Sequence, residues 1–257
     1  MSHLAGRSVL VTGASKGIGA AIATAMVAAG ARVVAHYGGD RAGAEAAVAD
    51  AAEGQAVLVQ ADLSDRDAVA RLWQEACEAA GGPVDVLVNN AGIMAQAGGI
   101  EDDAAAWDTA WSRSMAINVE APAMLMRLAV RDWLAAERTG AVIAIGSWVT
   151  TRGTSNPGAI AYAASKAAIA AATKTVARNY AGRGILAYVI APGVVDTQMS
   201  VASADKTGGA AAVTAGLPMG EWVPPSDIAE LAVFLAGGRA RHLTGATIDL
   251  NGAAYIR

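Results

Sequence analysis

The chain has 257 residues, of which 54% are hydrophobic and 16% are charged, and its formal net charge is −4. This composition is typical of a folded globular protein and excludes an intrinsically disordered chain. The acidic balance, with no basic run, is the opposite of the charge pattern that nucleic-acid binding needs, so we expect no nucleic-acid partner.

The three His and the one Cys exclude a zinc-ribbon or disulfide scaffold, and we expect no metal site. The N-terminal residues lead straight into a short apolar segment, without the apolar core of a signal peptide. No uninterrupted apolar run is long enough to cross a bilayer. From these features we expect a cytoplasmic protein without a membrane partner.

Short segments rich in Val, Ile and Leu alternate with Ala-rich segments along the whole chain. The apolar segments do not alternate polar with apolar residues, which predicts strands buried on both faces of a parallel sheet. In chain order, the predicted strands are 8–11, 32–35, 56–60, 84–88, 141–145, 186–190 and 247–250. The Ala-rich segments predict helices at 18–29, 41–52, 65–79, 104–136, 159–181 and 226–235. This order predicts an α/β fold, with one Rossmann-type doubly wound parallel sheet of about seven strands, helices on both faces, and a single domain over 1–257.

Two local features of the second half carry further predictions. Two prolines precede Ser226, which we predict to be the N-cap of helix 226–235. Residues 197–223 contain no clear strand and are rich in Gly, Ala and Met. We interpret this segment as a mobile lid at a substrate site, with a poorly packed helical excursion as the alternative.

A glycine-rich turn follows the first predicted strand and opens the first helix, with the sequence Gly13-Ala14-Ser15-Lys16-Gly17-Ile18-Gly19. Glycines allow the backbone to approach a pyrophosphate closely, and a helix N-terminus offers free N–H groups and a positive dipole end. The spacing differs from the common Gly-x-Gly-x-x-Gly fingerprint, and glycines at such a place also occur only for close packing. Because the turn follows the first strand, we favour nucleotide binding.

Tyr162 and Lys166 are four residues apart in an Ala-rich predicted helix, so they lie on one face of it. A phenol is a weak acid, with a pKa of about 10. An ammonium at about 5 Å contributes roughly 3 kcal/mol at an effective dielectric constant of about 20, which predicts a lowered pKa for Tyr162. The pair is therefore a candidate for proton transfer, and an ordinary surface Tyr beside a surface Lys is the alternative.

The glycine spacing and the Tyr162-x-x-x-Lys166 pair together resemble the short-chain dehydrogenase/reductase family, in particular its compact single-domain members such as 3-oxoacyl-carrier-protein reductases. The resemblance covers essentially the whole chain in order. Further matching segments are Asp62-Leu63, Asn89-Asn90-Ala91-Gly92, Asn118 in Met115–Val119, Ser147 after Ile145-Gly146, and Pro192-Gly193-Val194-Val195-Asp196-Thr197.

Two departures from the family pattern stand out. Ser147 precedes Tyr162 by fifteen residues, which indicates a small insertion and makes Ser155 a rival for the catalytic serine. The segment 244–252 lacks the double glycine that often follows the last strand, which bears on assembly more than on chemistry.

The resemblance implies hydride transfer between a nicotinamide cofactor and a ketone or secondary alcohol. It implies that Tyr162 is the general acid and base, that Lys166 lowers the pKa of Tyr162 and bonds the nicotinamide ribose, that Ser147 bonds the substrate oxygen, and that Asn118 holds a relay water. The cofactor residues it implies are Gly13, Ser15, Lys16, Gly17, Ile18, Gly19, Tyr37, Arg41, Asp62, Leu63, Asn89, Ala91, Gly92, Tyr162, Lys166, Pro192, Gly193, Val195 and Thr197. The substrate residues are Met94, Ser147, Trp148, Tyr162 and Met199, with Met219 and Trp222 in nearby loops.

The choice of cofactor depends on charge near the adenosine ribose. The second strand ends without a carboxylate at the place where enzymes that prefer NAD often carry one. Lys16 and Arg41 are candidates to meet a 2′-phosphate, and Asp40 opposes this only if it points inward. We therefore expect NADP(H), with NAD(H) as the alternative.

The sequence leaves the substrate open among 3-oxoacyl thioesters, apolar ketones, and sugars or polyols, the last with NAD as the cofactor. A non-catalytic dinucleotide sensor is the competing class, and it is disfavoured because matches for Ser, Tyr, Lys and Asn are all present. The Ala-rich helices and the family resemblance lead us to expect a homotetramer.

Overall fold

Parallel strands form the centre of the protein in the computed structural model, which describes residues 3–95 and 97–256. Within these residues, seven strands pair in the order β3-β2-β1-β4-β5-β6-β7, and all of these pairings are parallel. The strands are β1 (Ser8–Val11), β2 (Arg32–Tyr37), β3 (Ala56–Gln60), β4 (Val86–Asn89), β5 (Gly140–Ile145), β6 (Ile185–Pro192) and β7 (Thr247–Leu250).

Helices connect the strands and cover both faces of the sheet. They are α1 (Gly17–Ala28), α2 (Arg41–Ala47), α3 (Arg66–Ala80), α4 (Ala104–Met115), α5 (Ala121–Ala135), α6 (Val149–Arg152), α7 (Ile160–Tyr180), α8 (Gln198–Ala204), α9 (Ala210–Ala215) and α10 (Pro225–Ala236). A π-helical turn at Ala116–Glu120 joins α4 to α5, and short 3-10 turns lie at Pro157–Ala159, Ala181–Arg183 and Arg241–Leu243.

Apolar side chains bury the sheet from both sides. On one face, Ile22 of α1 and Ile228 of α10 belong to the core cluster that covers the strands. On the other face, Leu72 of α3, Leu125 of α5 and Ile169 of α7 do the same. Strands β1, β4, β5 and β6 are buried along their whole length, which explains why their sequences do not alternate polar with apolar residues.

The sheet has a crevice where its strand order reverses, between β1 and β4. Connections on the two sides of this point turn away from each other, and ligands of such sheets bind at the carboxyl ends of the strands there. The glycine-rich turn after β1, the segment 90–92 after β4 and Ser147 after β5 therefore meet at one edge of the sheet.

The predicted fold class is confirmed, since seven parallel strands with helices on both faces form one domain. Some helix ends differ from the prediction. The helix predicted over 41–52 stops at Ala47, because Val48 has φ −121° and leaves the helical conformation. The prediction that Ser226 is an N-cap is wrong: Pro224 occupies that position with an extended backbone, and Ser226 lies in the first turn of α10.

The segment 197–223 contains α8 and α9, and Val195 forms an isolated bridge with Val223 at its base. Within the residues that the structure describes, no helix is both long and apolar enough to cross a membrane.

Candidate active site

Hydrogen bonds join the glycine-rich turn to the ends of β2 and β4, the strands on either side of β1. The Gly13 N–H donates to Nδ1 of His36 at 3.0 Å, and the Ala14 N–H donates to the His36 carbonyl at 2.8 Å. The Asn90 amide donates to the carbonyls of Thr12 at 2.8 Å and Gly13 at 3.1 Å. Strand β2 and the segment after β4 thus fix the path of the turn.

Glycine is needed at two positions of the turn for different reasons. Gly13 has φ +67°, in the left-handed region that favours glycine. A Cβ on Gly19 would collide with the Gly13 carbonyl oxygen and with the amide of Asn90. The first turn of α1 therefore packs directly against the loop. The glycines thus serve both this packing and the close approach of the backbone to a phosphate.

The N-terminus of α1 opens into a cleft of about 1470 Å³ at the carboxyl edge of the sheet. Its N-cap residue is Lys16, whose ammonium cannot accept hydrogen bonds from the N–H groups of the first turn. These N–H groups and the positive end of the helix dipole suit a phosphate. The cleft exceeds the roughly 300–1,000 Å³ of a typical small-molecule pocket. The cleft is therefore larger than a typical small molecule needs, and its glycine-rich turn and helix N-terminus fit the phosphates of a dinucleotide.

The wall of the cleft after β2 is formed by Gly38, Gly39 and Asp40. Both glycines have open space where a Cβ would lie. The Asp40 carboxylate accepts the Gly43 N–H at 2.9 Å and so caps α2. Lys16, whose side chain is exposed, lines the same part of the cleft.

Three predicted cofactor residues lie outside the wall of the cleft. Tyr37 is 9% exposed at the end of β2. Arg41 pairs with Glu45 at 2.8 Å on the surface of α2. Asn89 is buried, and its amide donates to the carbonyl of Pro122 at 3.2 Å. The other predicted cofactor residues line the cleft, namely Gly13, Ser15, Lys16, Gly17, Ile18, Gly19, Asp62, Leu63, Ala91, Gly92, Tyr162, Lys166, Pro192, Gly193, Val195 and Thr197.

The structure brings the predicted phenol, amine and hydroxyl together. Tyr162 and Lys166 face the cleft from the first turns of α7, and the Ser147 side chain lies close enough to the phenol of Tyr162 to lower its pKa. The Lys166 Nζ lies 5.8 Å from the centre of the Tyr162 ring and donates to the Ile145 carbonyl at 2.8 Å. Ser155 is exposed in the loop before α7, so Ser147 is the serine that meets Tyr162.

Burial dominates the acidity of these groups. It raises the pKa of the Tyr162 phenol above its ordinary value, and the nearby Ser147 side chain lowers that pKa by a smaller amount. Burial also lowers the pKa of Lys166 from 10.5 to about 8. The direction predicted for Tyr162 from its neighbour Lys166 is therefore wrong for the protein chain, because the cost of desolvating a phenolate exceeds the favourable contributions.

Asn118 lies in the π-helical turn Ala116–Glu120, a rare geometry that is frequent at functional sites. Its Oδ1 accepts the Ile93 N–H at 2.8 Å, and its Nδ2 donates to the Ile93 carbonyl and to Ser165 Oγ, both at 2.9 Å. The Ser165 hydroxyl in turn donates to the Tyr162 carbonyl at 2.7 Å. Asn118 thus joins the segment after β4 to the first turns of α7.

Apolar side chains line the cleft beyond Tyr162. Met94 follows β4, and Met199 and Val201 belong to α8. Met199 is 38% exposed, so part of its side chain is available to a ligand. These side chains offer apolar surface to a ligand, beside the polar Gln198, Ser200 and Asp205 that line the same part of the cleft.

The remaining predicted substrate residues lie outside the wall. The Trp148 ring faces the Arg152 guanidinium, which is 4.4 Å from its centre. The Trp222 indole donates to Thr214 at 2.8 Å, and Met219 lies against Gly252.

Sequence reasoning missed His36 and gave Asn90 no role of its own. Both line the cleft and bond the glycine-rich turn. The Asn-Asn-Ala-Gly segment was a signal for Asn90, whereas His36 belongs to no motif. In the part of the chain that the structure describes, no group of three or more His, Cys, Asp or Glu side chains could hold a metal ion.

Comparison with known proteins identifies a matching family model and related proteins. A family model described as Enoyl-(Acyl carrier protein) reductase matches residues 13–252. The chain is 36% identical to 3beta-hydroxysteroid dehydrogenase 1 of Eggerthella lenta, over 98% of this chain and 95% of that protein. It is 35% identical to the 3-oxoacyl-(acyl-carrier-protein) reductase FabG of Vibrio harveyi, over 99% of each.

Solved structures match over the same length. A short chain dehydrogenase from Burkholderia cenocepacia J2315 in complex with NADP is 33% identical, with a TM-score of 0.84 over 98% of this chain and 99% of that one. A dehydrogenase/reductase from Sinorhizobium meliloti 1021 is 35% identical, with a TM-score of 0.84 over 99% of this chain and 98% of that one. The chain therefore belongs to the short-chain dehydrogenase/reductase family, and it is an oxidoreductase that acts on CH–OH or C=O groups.

Proposed function

We propose that the chain is an NADP(H)-dependent oxidoreductase that interconverts a ketone and a secondary alcohol, with Tyr162 as the general acid and base. The observation that carries the proposal is the meeting of Tyr162, Ser147 and Lys166 in the same cleft as the glycine-rich turn. A bound nicotinamide cofactor supplies or accepts the hydride at the carbonyl carbon. The side chains of the protein manage the substrate oxygen and the proton.

In the direction of reduction, the Tyr162 O–H bond breaks as its proton passes to the substrate oxygen. The Ser147 hydroxyl donates to the same oxygen and stabilises the negative charge that forms there. Tyr162 becomes a phenolate, which burial disfavours and the nearby Lys166 ammonium favours. Because the pKa of Lys166 is about 8, this amine is also suited to return a proton to the phenolate.

Asn118 contributes by position. Its bonds to Ile93 and Ser165 hold the first turns of α7 against the segment after β4, and so hold Tyr162 at the cleft. The relay water beside Asn118, which the family resemblance implies, remains part of the proposal.

The preference for NADP(H) is supported by the charges at the end of β2. Gly38 and Gly39 carry no side chain to repel a 2′-phosphate. The Asp40 carboxylate lines the same wall and opposes the preference, although its bond from the Gly43 N–H holds it at the N-terminus of α2. Lys16 lines this part of the cleft with an exposed ammonium. Calorimetric titration with NADPH and NADH tests the preference, and tighter binding of NADH would contradict it.

We propose an apolar or bulky ketone as the substrate, such as a 3-oxoacyl thioester or a polycyclic ketone. The apolar wall of Met94, Met199 and Val201 supports this class, and the curated relatives named above include enzymes whose names refer to both kinds of substrate. The segment 197–223 is proposed as the lid, since α8 lines the cleft and its Ser203 accepts a hydrogen bond from Asn156 at 3.3 Å.

The central experiment measures NADPH oxidation with a panel of 3-oxoacyl thioesters, polycyclic ketones, sugars and an enoyl thioester. We expect turnover with at least one apolar ketone, and Tyr162→Phe should abolish it while leaving NADPH binding nearly unchanged. Substantial turnover by Tyr162→Phe would refute the role of the phenol. Tight NADPH binding without turnover on the whole panel would favour a dinucleotide sensor, and turnover of sugars with NADH would favour a sugar or polyol dehydrogenase.

The proposal includes a homotetramer in the cytoplasm. Light scattering coupled to gel filtration tests the assembly, and a monomer at micromolar concentration would contradict it.

A further inference from the structure

His36 is a buried histidine in the wall of the cofactor cleft, and the mechanism above does not use it. Its side chain is 2% exposed at the carboxyl end of β2. Nδ1 lies 3.0 Å from the Gly13 amide nitrogen, and Nε2 lies 3.1 Å from the Ala61 carbonyl oxygen. One imidazole thus joins the glycine-rich turn after β1 to the segment after β3.

These two partners fix the protonation state of the ring. An amide N–H can only donate, so Nδ1 must carry a lone pair. A carbonyl oxygen can only accept, so Nε2 must carry the proton. We propose that neutral His36, with its proton on Nε2, positions the glycine-rich turn for the cofactor together with Asn90, and that protonation of His36 weakens cofactor binding.

The effect of protonation follows from the geometry. An imidazolium would place an N–H on Nδ1 directly opposite the Gly13 N–H, so the hydrogen bond would be replaced by repulsion between two donors. Gly13 has a left-handed backbone and lines the cleft, so a shift at its amide moves the surface that faces a phosphate. In support, burial lowers the pKa of His36, and its bond to the Ala61 carbonyl raises that pKa by less.

The charged and titratable groups on the surrounding segments do not pair with this ring. Lys16 on the glycine-rich turn has an exposed side chain, Asp40 caps α2, and Asp62 after β3 accepts a bond from Ser64. Tyr37 follows His36 in β2, and successive side chains of a strand point to opposite faces. Burial and the bond to Ala61, and not a neighbouring charge, therefore set the pKa of His36.

The test uses two substitutions of nearly the same shape. His36→Asn places an acceptor oxygen where Nδ1 lies, so the bond from the Gly13 N–H can be kept and the group does not titrate. His36→Leu has similar branching and no acceptor. Calorimetric titration is done on the wild-type protein and both variants, with NADPH near pH 7.5 and with the acid-stable NADP+ near pH 7.5, near pH 5.5 and near pH 4.5, because burial lowers the pKa of His36 below its ordinary value. Circular dichroism checks that each protein is folded at each pH.

Near pH 7.5 we expect His36→Asn to bind NADPH within about threefold of the wild type, and His36→Leu to bind on the order of tenfold to a hundredfold more weakly. The ratio of the two dissociation constants, wild type over His36→Asn, should rise on acidification, approaching about tenfold per pH unit below the pKa of His36. Dividing by the Asn variant removes the titration of the phosphate of NADP+. Loss of folding in His36→Leu leaves the comparison of wild type with His36→Asn as the deciding measurement.

Equal affinity of all three proteins, or a ratio that does not change with pH, would overturn the inference. It rests on the proposed function for the choice of NADPH and NADP+ as the probes. If the wild type fails to bind NADPH near pH 7.5, the proposed function and the inference about His36 are both overturned. Normal wild-type binding with no difference among the variants overturns the role of His36 alone.

Discussion

Lys166 combines a proposed catalytic role with a buried charge, and Lys166→Met tests both. The side chain is 6% exposed, and burial lowers its pKa from 10.5 to about 8. Since one pKa unit corresponds to about 1.4 kcal/mol, folding with protonated Lys166 costs about 3 kcal/mol. Methionine has a similar length and avoids this cost, but it loses the hydrogen bond to the Ile145 carbonyl, which contributes about 1 kcal/mol. We expect Lys166→Met to raise the free energy of unfolding by about 2 kcal/mol near pH 7 and to abolish turnover.

The pH dependence gives this prediction a second test. The pKa of Lys166 is lower in the folded state than in the unfolded state, so the cost is complete below about pH 8 and disappears as the pH rises towards 10.5. The advantage of Lys166→Met should therefore shrink by about 2 kcal/mol between about pH 7 and about pH 9.5. Urea unfolding of both proteins at the two pH values measures it. A variant that is less stable near pH 7, or an advantage that is the same at both pH values, would refute the reasoning.

Two further predictions use matched pairs of substitutions. Ser147→Ala should lower kcat on the order of a hundredfold, because it removes a donor to the substrate oxygen, whereas Ser155→Ala, in an exposed turn, should leave kcat within about twofold. Steady-state kinetics with the best ketone of the panel measures both, and the reverse order would place the catalytic serine in the insertion. Gly19→Ala should lower the free energy of unfolding by about 1–3 kcal/mol and weaken NADPH binding, because its Cβ collides with the Gly13 carbonyl. Gly182→Ala meets nothing within 4 Å and should be nearly neutral; a Gly19→Ala protein as stable and as tightly binding as Gly182→Ala would contradict the packing that we describe.

Most of the fold could be predicted because its signals are local. A strand buried on both faces has to be apolar at nearly every position, and the segments that became β1, β4, β5 and β6 are, apart from Ser8 at the start of β1 and Asn89 at the end of β4. The pairing of Tyr162 with Lys166 was likewise local, since the helical repeat fixes it. The N-cap of α10 was mispredicted because the prolines, and not Ser226, determine where the helix begins. Pro225 suits the first helical position, so Pro224 is the N-cap.

What could not be predicted depends on contacts between distant parts of the chain. The Ala-rich surroundings of Lys166 are compatible with an exposed helix face, and its burial results from the packing of α7 at the end of β5, where its amine meets the Ile145 carbonyl. That packing also reverses the direction of the pKa shift of Tyr162. His36 has no sequence signal at all, because its role is defined by Gly13 and Ala61, which are 23 and 25 residues away.

The proposed cofactor preference could not be decided from the sequence either, because it depends on how surface charges are oriented. Three charged side chains near the end of β2, those of Lys16, Asp40 and Arg41, bear on a 2′-phosphate, and the sequence can count them but not orient them. In the structure, Asp40 caps α2 and Arg41 pairs with Glu45. The Asp40 carboxylate and the Arg41 guanidinium therefore each have a partner within the chain. The surface ion pair of Arg41 contributes little to the stability of the protein. Lys16 lines the cleft at the first turn of α1, where the helix dipole adds to its own charge. The proposed preference for a phosphorylated ribose thus rests on which of the three side chains already has a partner, and not on their net charge.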